Sequence, residues 1–292
     1  MKVIIGLPAF NEEKKIGPII EKLKEKYEHV LVCDDGSSDM TSTIASTMGA
    51  TVVKHKKNLG YGSAIKTIFN EAKKIDGDVL VTFDADGQHQ ISEIDSMLKP
   101  IFENKVDIVI GSRFLGKSKE LPKYRKIGIK TITGLTNIMT GSKITDSQSG
   151  FRAYSKKMLN EISLIESGMG ISTEILIKSM KKNMRITEVP ITIDYENNKH
   201  SKEPISHGTS VIISTVKHVA IERPLLYYGV TGLIFLIVGL IFGAWTLQIY
   251  SEEKVVMTNM ALIGIGGVIL GTILLISGTI LFSIVNLIRE KK

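Results

Sequence analysis

Short runs of β-prone apolar residues recur along the chain up to about Ile205, separated by longer stretches with helical spacing. Lys2–Gly6, His29–Cys33, Thr51–Lys54, Val79–Phe83 and Asp107–Ile110 read as buried strands. Between them, Glu12–Lys26 places Ile16, Ile19, Ile20 and Leu23 on one face of a helix, with Asn11 as its expected cap. Thr41–Met48, a segment opened by Asn58-Leu-Gly60-Tyr-Gly62 and running to about Lys74, and Ile91–Phe102 complete the alternation. Strands alternating with helices predict an α/β fold with a doubly wound, mostly parallel sheet and right-handed crossovers.

After Ile110 the pattern is less regular. Gly111-Ser112-Arg113-Phe114 closes a strand, and Lys117, Lys119, Lys123, Arg125, Lys126 and Lys130 follow as a basic segment. Asp146-Ser-Gln148-Ser-Gly150-Phe151-Arg152 is a polar loop entering a short strand. Ser172–Lys182, containing Glu174, reads as a helix; Met184–Val189 and Ile191–Tyr195 are strand-like, and Asn197–Ser206 is a polar, basic loop.

A second regime begins at Leu225. Neither Leu225–Tyr250 nor Val255–Ile288 contains a charged side chain, and each exceeds the roughly 20 apolar residues a bilayer span needs. Two spans are expected, about 225–249 and 260–285. Thr209–Ile221, with Lys217 and His218, reads as a helix lying in the membrane interface. The expected organisation is an α/β domain over 1–205, an interfacial segment over 206–224, a transmembrane hairpin over 225–288 and a basic tail over 289–292. Lys217 and Arg223 precede the hairpin and Arg289, Lys291 and Lys292 follow it, whereas its loop carries Glu252, Glu253 and Lys254. The positive-inside rule then places the α/β domain and both termini in the cytoplasm of a cell-membrane protein. Gly239 and Gly243, and Gly267 and Gly271, form two small-xxx-small faces for close packing, within one hairpin or between subunits of a homo-oligomer.

Charge and composition narrow the partners. A net charge of +7 fits an anionic partner, and without aromatic-rich basic stretches nucleic acid is the weaker choice. The single cysteine, Cys33, excludes an internal disulfide and reads as a core residue. Lys2–Gly6 opens directly as a strand, so no cleaved signal peptide is expected.

Three strand ends carry polar clusters: Pro8–Glu12, Asp34–Asp39 and Asp84–His89. Ligands of open α/β sheets bind outside the carboxyl ends of the strands. Alternation along an extended backbone points Asp84 and Asp86 the same way, and a hard divalent cation relieves the repulsion between them. Asp-x-Asp alone also fits a strand end followed by an Asp-Gly turn.

In order, Pro8-Ala-Phe10-Asn-Glu12, Asp34-Asp35-Gly-Ser-Ser-Asp39, Asn58-Leu-Gly60, Asp84-Ala-Asp86-Gly-Gln88-His89, Gly111-Ser-Arg113 and Ser149-Gly-Phe-Arg152 resemble the family 2 glycosyltransferases, and more narrowly their polyprenyl-phosphate (dolichol-phosphate) hexose synthases. The resemblance implies a GT-A fold, a nucleotide-sugar donor (GDP-mannose, UDP-glucose or UDP-N-acetylglucosamine), a polyprenyl or dolichyl phosphate acceptor and Mg²⁺ or Mn²⁺. By motif match it implies Pro8, Phe10, Glu12 and Asp35 at the nucleoside, and Asp84, Asp86 and Gln88 at the metal and donor diphosphate. Arg113 and Arg125 match positions for the acceptor phosphate, and Lys202 a segment closing over the donor. The chain departs from the pattern at His200, where a glycine is usual two residues before the lysine, and at Ile129, where a serine often follows the second arginine by four.

The implied chemistry is direct displacement with inversion at the sugar carbon. The acceptor phosphate is already anionic, its second pKa being about 6, so positioning by arginine matters more than a strong base. A processive polysaccharide synthase of the same fold usually carries Gln-x-x-Arg-Trp, yet the only tryptophan, Trp245, lies inside a span. A catalytically silent nucleotide-sugar-binding membrane scaffold would have broken acidic motifs, whereas Asp34, Asp35, Asp84 and Asp86 are all present. A nucleotidyltransferase would leave the spans unexplained.

Overall fold

The computed structural model describes residues 1–116, 123–193, 220 and 224–290, the side chains of 123–125, 226 and 286–290 excepted. These residues fall into two compact units, one within Met1–Thr215 and one within Val216–Lys292.

The first unit is built on a seven-stranded sheet ordered β3-β2-β1-β4-β6-β5-β7. The strands are β1 Val3–Ala9, β2 His29–Asp34, β3 Thr51–Lys54, β4 Val79–Thr82, β5 Ile108–Ser112, β6 Arg152–Ser155 and β7 Ile186–Pro190. All pairs are parallel except those of β6, which runs against both β4 and β5. The expected mostly parallel α/β sheet is present, with one reversed strand inside it.

Alternation along the strands fills two cores. Ile5, Leu7, Val30, Val32, Val79, Val81 and Phe83 face a layer that includes α1 (Glu13–Lys24) and α4 (Ile94–Phe102). Ile4, Leu31, Cys33, Leu80, Ile108 and Ile110 face α3 (Tyr61–Lys74), α6 (Lys156–Glu161) and α7 (Ile171–Lys181). Burying one such side chain contributes roughly 1.5–3 kcal/mol, and the pattern leaves no solvated sheet face at the centre. α2 (Thr41–Thr47) packs beside α1, and a 3₁₀ turn, Ile91–Glu93, leads into α4. The basic segment after residue 122 is an 18-residue helix, α5 (Lys123–Thr140), where the sequence indicated only a charged face.

β1 runs on through Pro8, beyond Gly6, where the expected strand ended. Gly6 O accepts from Phe83 N on the β4 side, and Ala9 O accepts from Asp35 N on the β2 side. Pro8 shares the parity of Gly6, so its missing N–H faces the β4 side beyond the last β1–β4 pair, Gly6 with Thr82.

The second unit is a hairpin of α8 (Val230–Glu253) and α9 (Thr258–Glu290), preceded by a π-turn, Leu225–Gly229. Tyr227–Glu253 and Thr258–Val285 are long and apolar enough to cross a membrane, and only 17% and 11% of their most apolar windows are buried. Exposed apolar surface of that extent is characteristic of helices that face lipid. Lys254 ends α8 in the left-handed region at φ 58°. Gly239 lies against Gly264, Gly267 and Val268, and Gly271 against Gly232 and Leu236. The glycine contacts are therefore made within one hairpin. The expected interfacial helix over 206–224, apart from residues 220 and 224, lies outside the described residues, as do Lys217, His218, Arg223, Lys291 and Lys292.

Candidate active site

β1, β2 and β4 are neighbours in the sheet, so the three polar clusters at their carboxyl ends converge. Hydrogen bonds tie the first two loops together. Asn11, at φ 57°, donates its amide to Ser37 Oγ (2.9 Å) and accepts from Ser38 N (3.0 Å). It makes no cap bond to α1; Glu13 N donates instead to Asp39 Oδ2 (3.2 Å), and Glu12 N to Thr41 Oγ1 (2.9 Å). Phe10, next to this junction, keeps 43% of its surface exposed.

Asp34 and Asp35 are buried and internally bonded. Burial raises the Asp34 carboxyl, but bonds from Ser37 and Ser42 and the Lys54 ammonium outweigh it and hold the group below its ordinary value. Asp35 accepts from Leu59 N (3.0 Å), Gly60 N (2.8 Å) and His55 Nδ1 (2.6 Å). His55 Nε2 lies 2.9 Å from Thr67 Oγ1 and 3.6 Å from Cys33 Sγ. Cys33 is a core thiol, pushed up to about 12 by burial. Asp35 thus organises the entry to α3, where Gly60 sits at φ 95° and the space a Cβ would take is closed off by Ser167 O.

β4 ends at Thr82, so Asp84 and Asp86 lie in the turn beyond it rather than along the strand. The turn is closed by Gly87 at φ 74° and by Gln88 N donating to Asp86 Oδ1 (3.0 Å). Asp86 is raised by burial and by the Asp84 charge beside it. Glu12 is raised by burial first, Lys15 opposing, and then by Asp86, Asp39 and Asp84. Lys15 Nζ is 3.9 Å from Glu12 Oε2. Asp84 also meets the Tyr61 hydroxyl (3.4 Å) and His89 Nε2 (3.4 Å). His89 packs against Phe83 and Phe151, with a buried Nδ1 that has no hydrogen-bond partner.

No group of three or more His, Cys, Asp or Glu placed to hold a metal occurs among the described residues. Two carboxylates suffice for Mg²⁺ when substrate phosphates and water complete the shell. Burial first, and then the Asp84 charge, disfavour the ionised Asp86, and a hard cation would offset both, so the Asp84–Asp86 pair fits such an ion.

Arg113 follows β5, and its side chain is 14% exposed. Its Nε and Nη2 donate to Asp146 Oδ2 (2.6 Å) and Oδ1 (2.7 Å), a bidentate grip on a fully buried carboxylate. Arg152 is buried as well, donating to the carbonyls of Ser149, Ser172 and Ser147. Arg125 lies in the first turn of α5 with its side chain outside the described residues, and Lys202 lies outside them altogether.

Residues 4–163 match the family described as glycosyl transferase family 2. The chain belongs to that family. An uncharacterised protein of Methanocaldococcus jannaschii is 37% identical over 72% of this chain and 87% of its own length. A Methanococcus voltae protein named UDP-N-acetylglucosamine–dolichyl-phosphate N-acetylglucosaminyltransferase is 32% identical over 72% of this chain and 91% of its own. Among solved structures, the glucosyl-3-phosphoglycerate synthase of Mycobacterium tuberculosis with Mn²⁺, UDP and glucosyl-3-phosphoglycerate superposes with a TM-score of 0.59 at 19% identity, over 74% of this chain and 79% of that one. That likeness fixes the GT-A type of fold.

The motifs pointed to most of these positions but not to Tyr61, Lys15 or Glu188, which meet the site only through folding. Tyr61 stands directly after Asn58-Leu-Gly60, at the start of α3, and that placement was its only signal.

Proposed function

We propose that this membrane glycosyltransferase transfers a hexose or N-acetylhexosamine from a nucleotide sugar to a polyprenyl or dolichyl phosphate, with inversion at the sugar carbon. The observation that carries the reading is the Asp84–Asp86 pair at the carboxyl end of β4, with Asp86 raised by burial and by its neighbour, in a family 2 chain. The Methanococcus voltae relative supports the lipid-phosphate acceptor, and the exposed apolar hairpin supports an acceptor whose tail stays in lipid.

Asp84 and Asp86 would hold Mg²⁺ or Mn²⁺, with the half-buried Gln88 beside them. Such an ion, when bound, supplies positive charge that stabilises the departing diphosphate. Phe10 offers an exposed apolar face for the base, beside Glu12. Pro8 and Asp35 act on the nucleoside through the backbone they shape, being buried in β1 and at the α3 entry. Lys202 would close over the donor.

Arg113 and Arg125 would bind the acceptor phosphate, which needs only placement in line with the sugar carbon to attack. The exposed Ile127 and Ile138 of α5, on the helix that carries Arg125, favour a face turned to lipid.

Incubating membranes that contain the protein with labelled UDP-N-acetylglucosamine, UDP-glucose or GDP-mannose and a polyprenyl phosphate tests the reading. One of the three should give an organic-extractable lipid-linked sugar that depends on divalent cation. Sugar transfer to a growing polysaccharide instead would replace this reading with a processive synthase.

A further inference from the structure

Glu188 stands on β7, paired in register with Ile110 of β5. Its half-buried carboxylate accepts from Thr145 N (2.8 Å), Thr145 Oγ1 (3.0 Å) and Asp146 N (2.9 Å). Ser112 Oγ lies 2.7 Å from Thr145 Oγ1, so the end of β5 is fastened to the same turn. Among the described residues no cation forms an ion pair with Glu188. Its hydrogen-bond donors among the described residues all belong to this one turn.

The turn carries Asp146. Its carboxylate receives Arg113 N (3.2 Å), Nε (2.6 Å) and Nη2 (2.7 Å), and Gln148 N (3.3 Å). Two carboxylates thus stand in succession behind one guanidinium. Placing a second anion behind a buried carboxylate is unfavourable, yet only a carboxylate meets both amides here: Thr145 N reaches Oε2 and Asp146 N reaches Oε1, whereas a carboxamide has one acceptor oxygen. The arrangement gains in direction: a guanidinium gripped through Nε and Nη2 has a fixed plane and a fixed outward edge.

We infer that Glu188 is a positioning residue for the acceptor phosphate. It locks the Thr145–Asp146 turn, Asp146 locks Arg113, and Arg113 meets the phosphate in one orientation. The inference rests on the assignment of Arg113 to the acceptor.

The test uses the full chain in detergent, with farnesyl phosphate as acceptor probe and UDP and GDP as nucleotide probes. Glu188→Gln should weaken farnesyl phosphate binding about tenfold and leave nucleotide binding unchanged, since one set of charge-assisted bonds is lost at a distance from the acidic cluster. Arg113→Lys should weaken the same binding at least as much. The double variant should bind no worse than Arg113→Lys alone, because both changes act through one guanidinium. Additive losses, or a Glu188→Gln variant with normal farnesyl phosphate binding beside a weakened Arg113→Lys, would overturn the positioning role and leave the acceptor assignment standing. Normal binding by Arg113→Lys would overturn the acceptor assignment, and this inference with it. If Glu188→Gln does not accumulate, Thr145→Val removes one of the three bonds and should shift binding in the same direction by a smaller factor.

Discussion

The backbone of Gly150 passes so close to the Asp84 carboxylate that a methyl group on it would sit 2.7 Å from Oδ2 and 2.9 Å from Oδ1. The same methyl group would lie 2.7 Å from the Tyr61 hydroxyl. Thr82 Oγ1 donates to Gly150 O (2.7 Å), so the glycine cannot retreat without breaking that bond. Gly150→Ala should therefore displace Asp84. Transfer should fall about a hundredfold, while overpacking costs about 1–3 kcal/mol of stability. Turnover and thermal midpoint measured on one preparation check this; full turnover would mean that the position of Asp84 is not critical.

Asp86→Asn should abolish transfer and weaken cation-dependent donor binding, because it removes a negative charge beside Asp84. Arg113→Ala and Arg125→Ala should spare donor binding and weaken use of the lipid phosphate. Donor affinity and transfer rate, determined separately for each variant, distinguish the two groups. Loss of nucleotide-sugar binding by the arginine variants equal to that of Asp86→Asn would remove them from the acceptor site.

Asp34 and Asp39 both titrate below the ordinary value of 3.8, their hydrogen bonds outweighing burial. A depressed folded pKa contributes stability that is fully present above the unfolded value and is lost as pH falls through the folded one. Thermal midpoints of the intact protein should therefore drop on acidification below 3.8. Asp34→Asn should destabilise the protein at neutral pH by about 1–3 kcal/mol, lowering the midpoint there, and flatten the acid limb. An acid limb as steep as that of the wild type would show that other groups set it.

In the hairpin, a Cβ on Gly239 would lie 2.5 Å from Val268 N and one on Gly271 2.6 Å from Leu236 N, whereas a Cβ on Gly243 would meet nothing within 4 Å. Gly239→Ala and Gly271→Ala should splay α8 from α9, each costing about 1–3 kcal/mol, and Gly243→Ala should be neutral. Disulfide cross-linking between cysteines placed at Tyr228 and Gly278, where a Cβ on Gly278 would lie 3.1 Å from that of Tyr228, should be efficient within a single chain. A cross-linked dimer as the main product would move the contact to a subunit interface.

Both ends of the hairpin should face the cytoplasm. A cysteine replacing Ser251, in the last turn of α8, should react with an impermeant thiol reagent on intact cells, and a tag after Lys292 should resist protease added outside. The opposite pair of results would invert the topology.

β1, β2, β4 and β5 were legible because each is buried on both faces and so reads as a continuous apolar run, and the half-exposed edge strand β3 was legible from its β-branched Thr51-Val-Val. The direction of β6 was not: Arg152–Ser155 is four residues long, and a run that short carries no sign of which way it goes. α5 was hidden for a different reason. Ile127 and Ile138 are exposed on it while Thr133 and Thr136 are buried, which blurs the helical pattern. At the site, the motif acids were legible as a set, but not their burial. The bond from His55 to Asp35 spans 20 positions, and nothing in either segment announces it. The bidentate hold of Asp146 on Arg113 was likewise open from sequence, where a paired arginine and a ligand arginine look the same.

The reversal of β6 divides the sheet into two groups of strands. β2, β1 and β4 carry the acidic cluster on one side of it, while β5 and β7 carry Arg113 and Glu188 on the other. Each group has its own fastening: Asn11, Asp35 and Asp39 in the first, the Thr145–Asp146 turn in the second. A scaffold partitioned in this way is modular. On the proposed roles, substitutions behind Arg113 would retune the acceptor with little effect on the donor, save through Gly150, which follows the Asp146 turn by four residues and lies against Asp84.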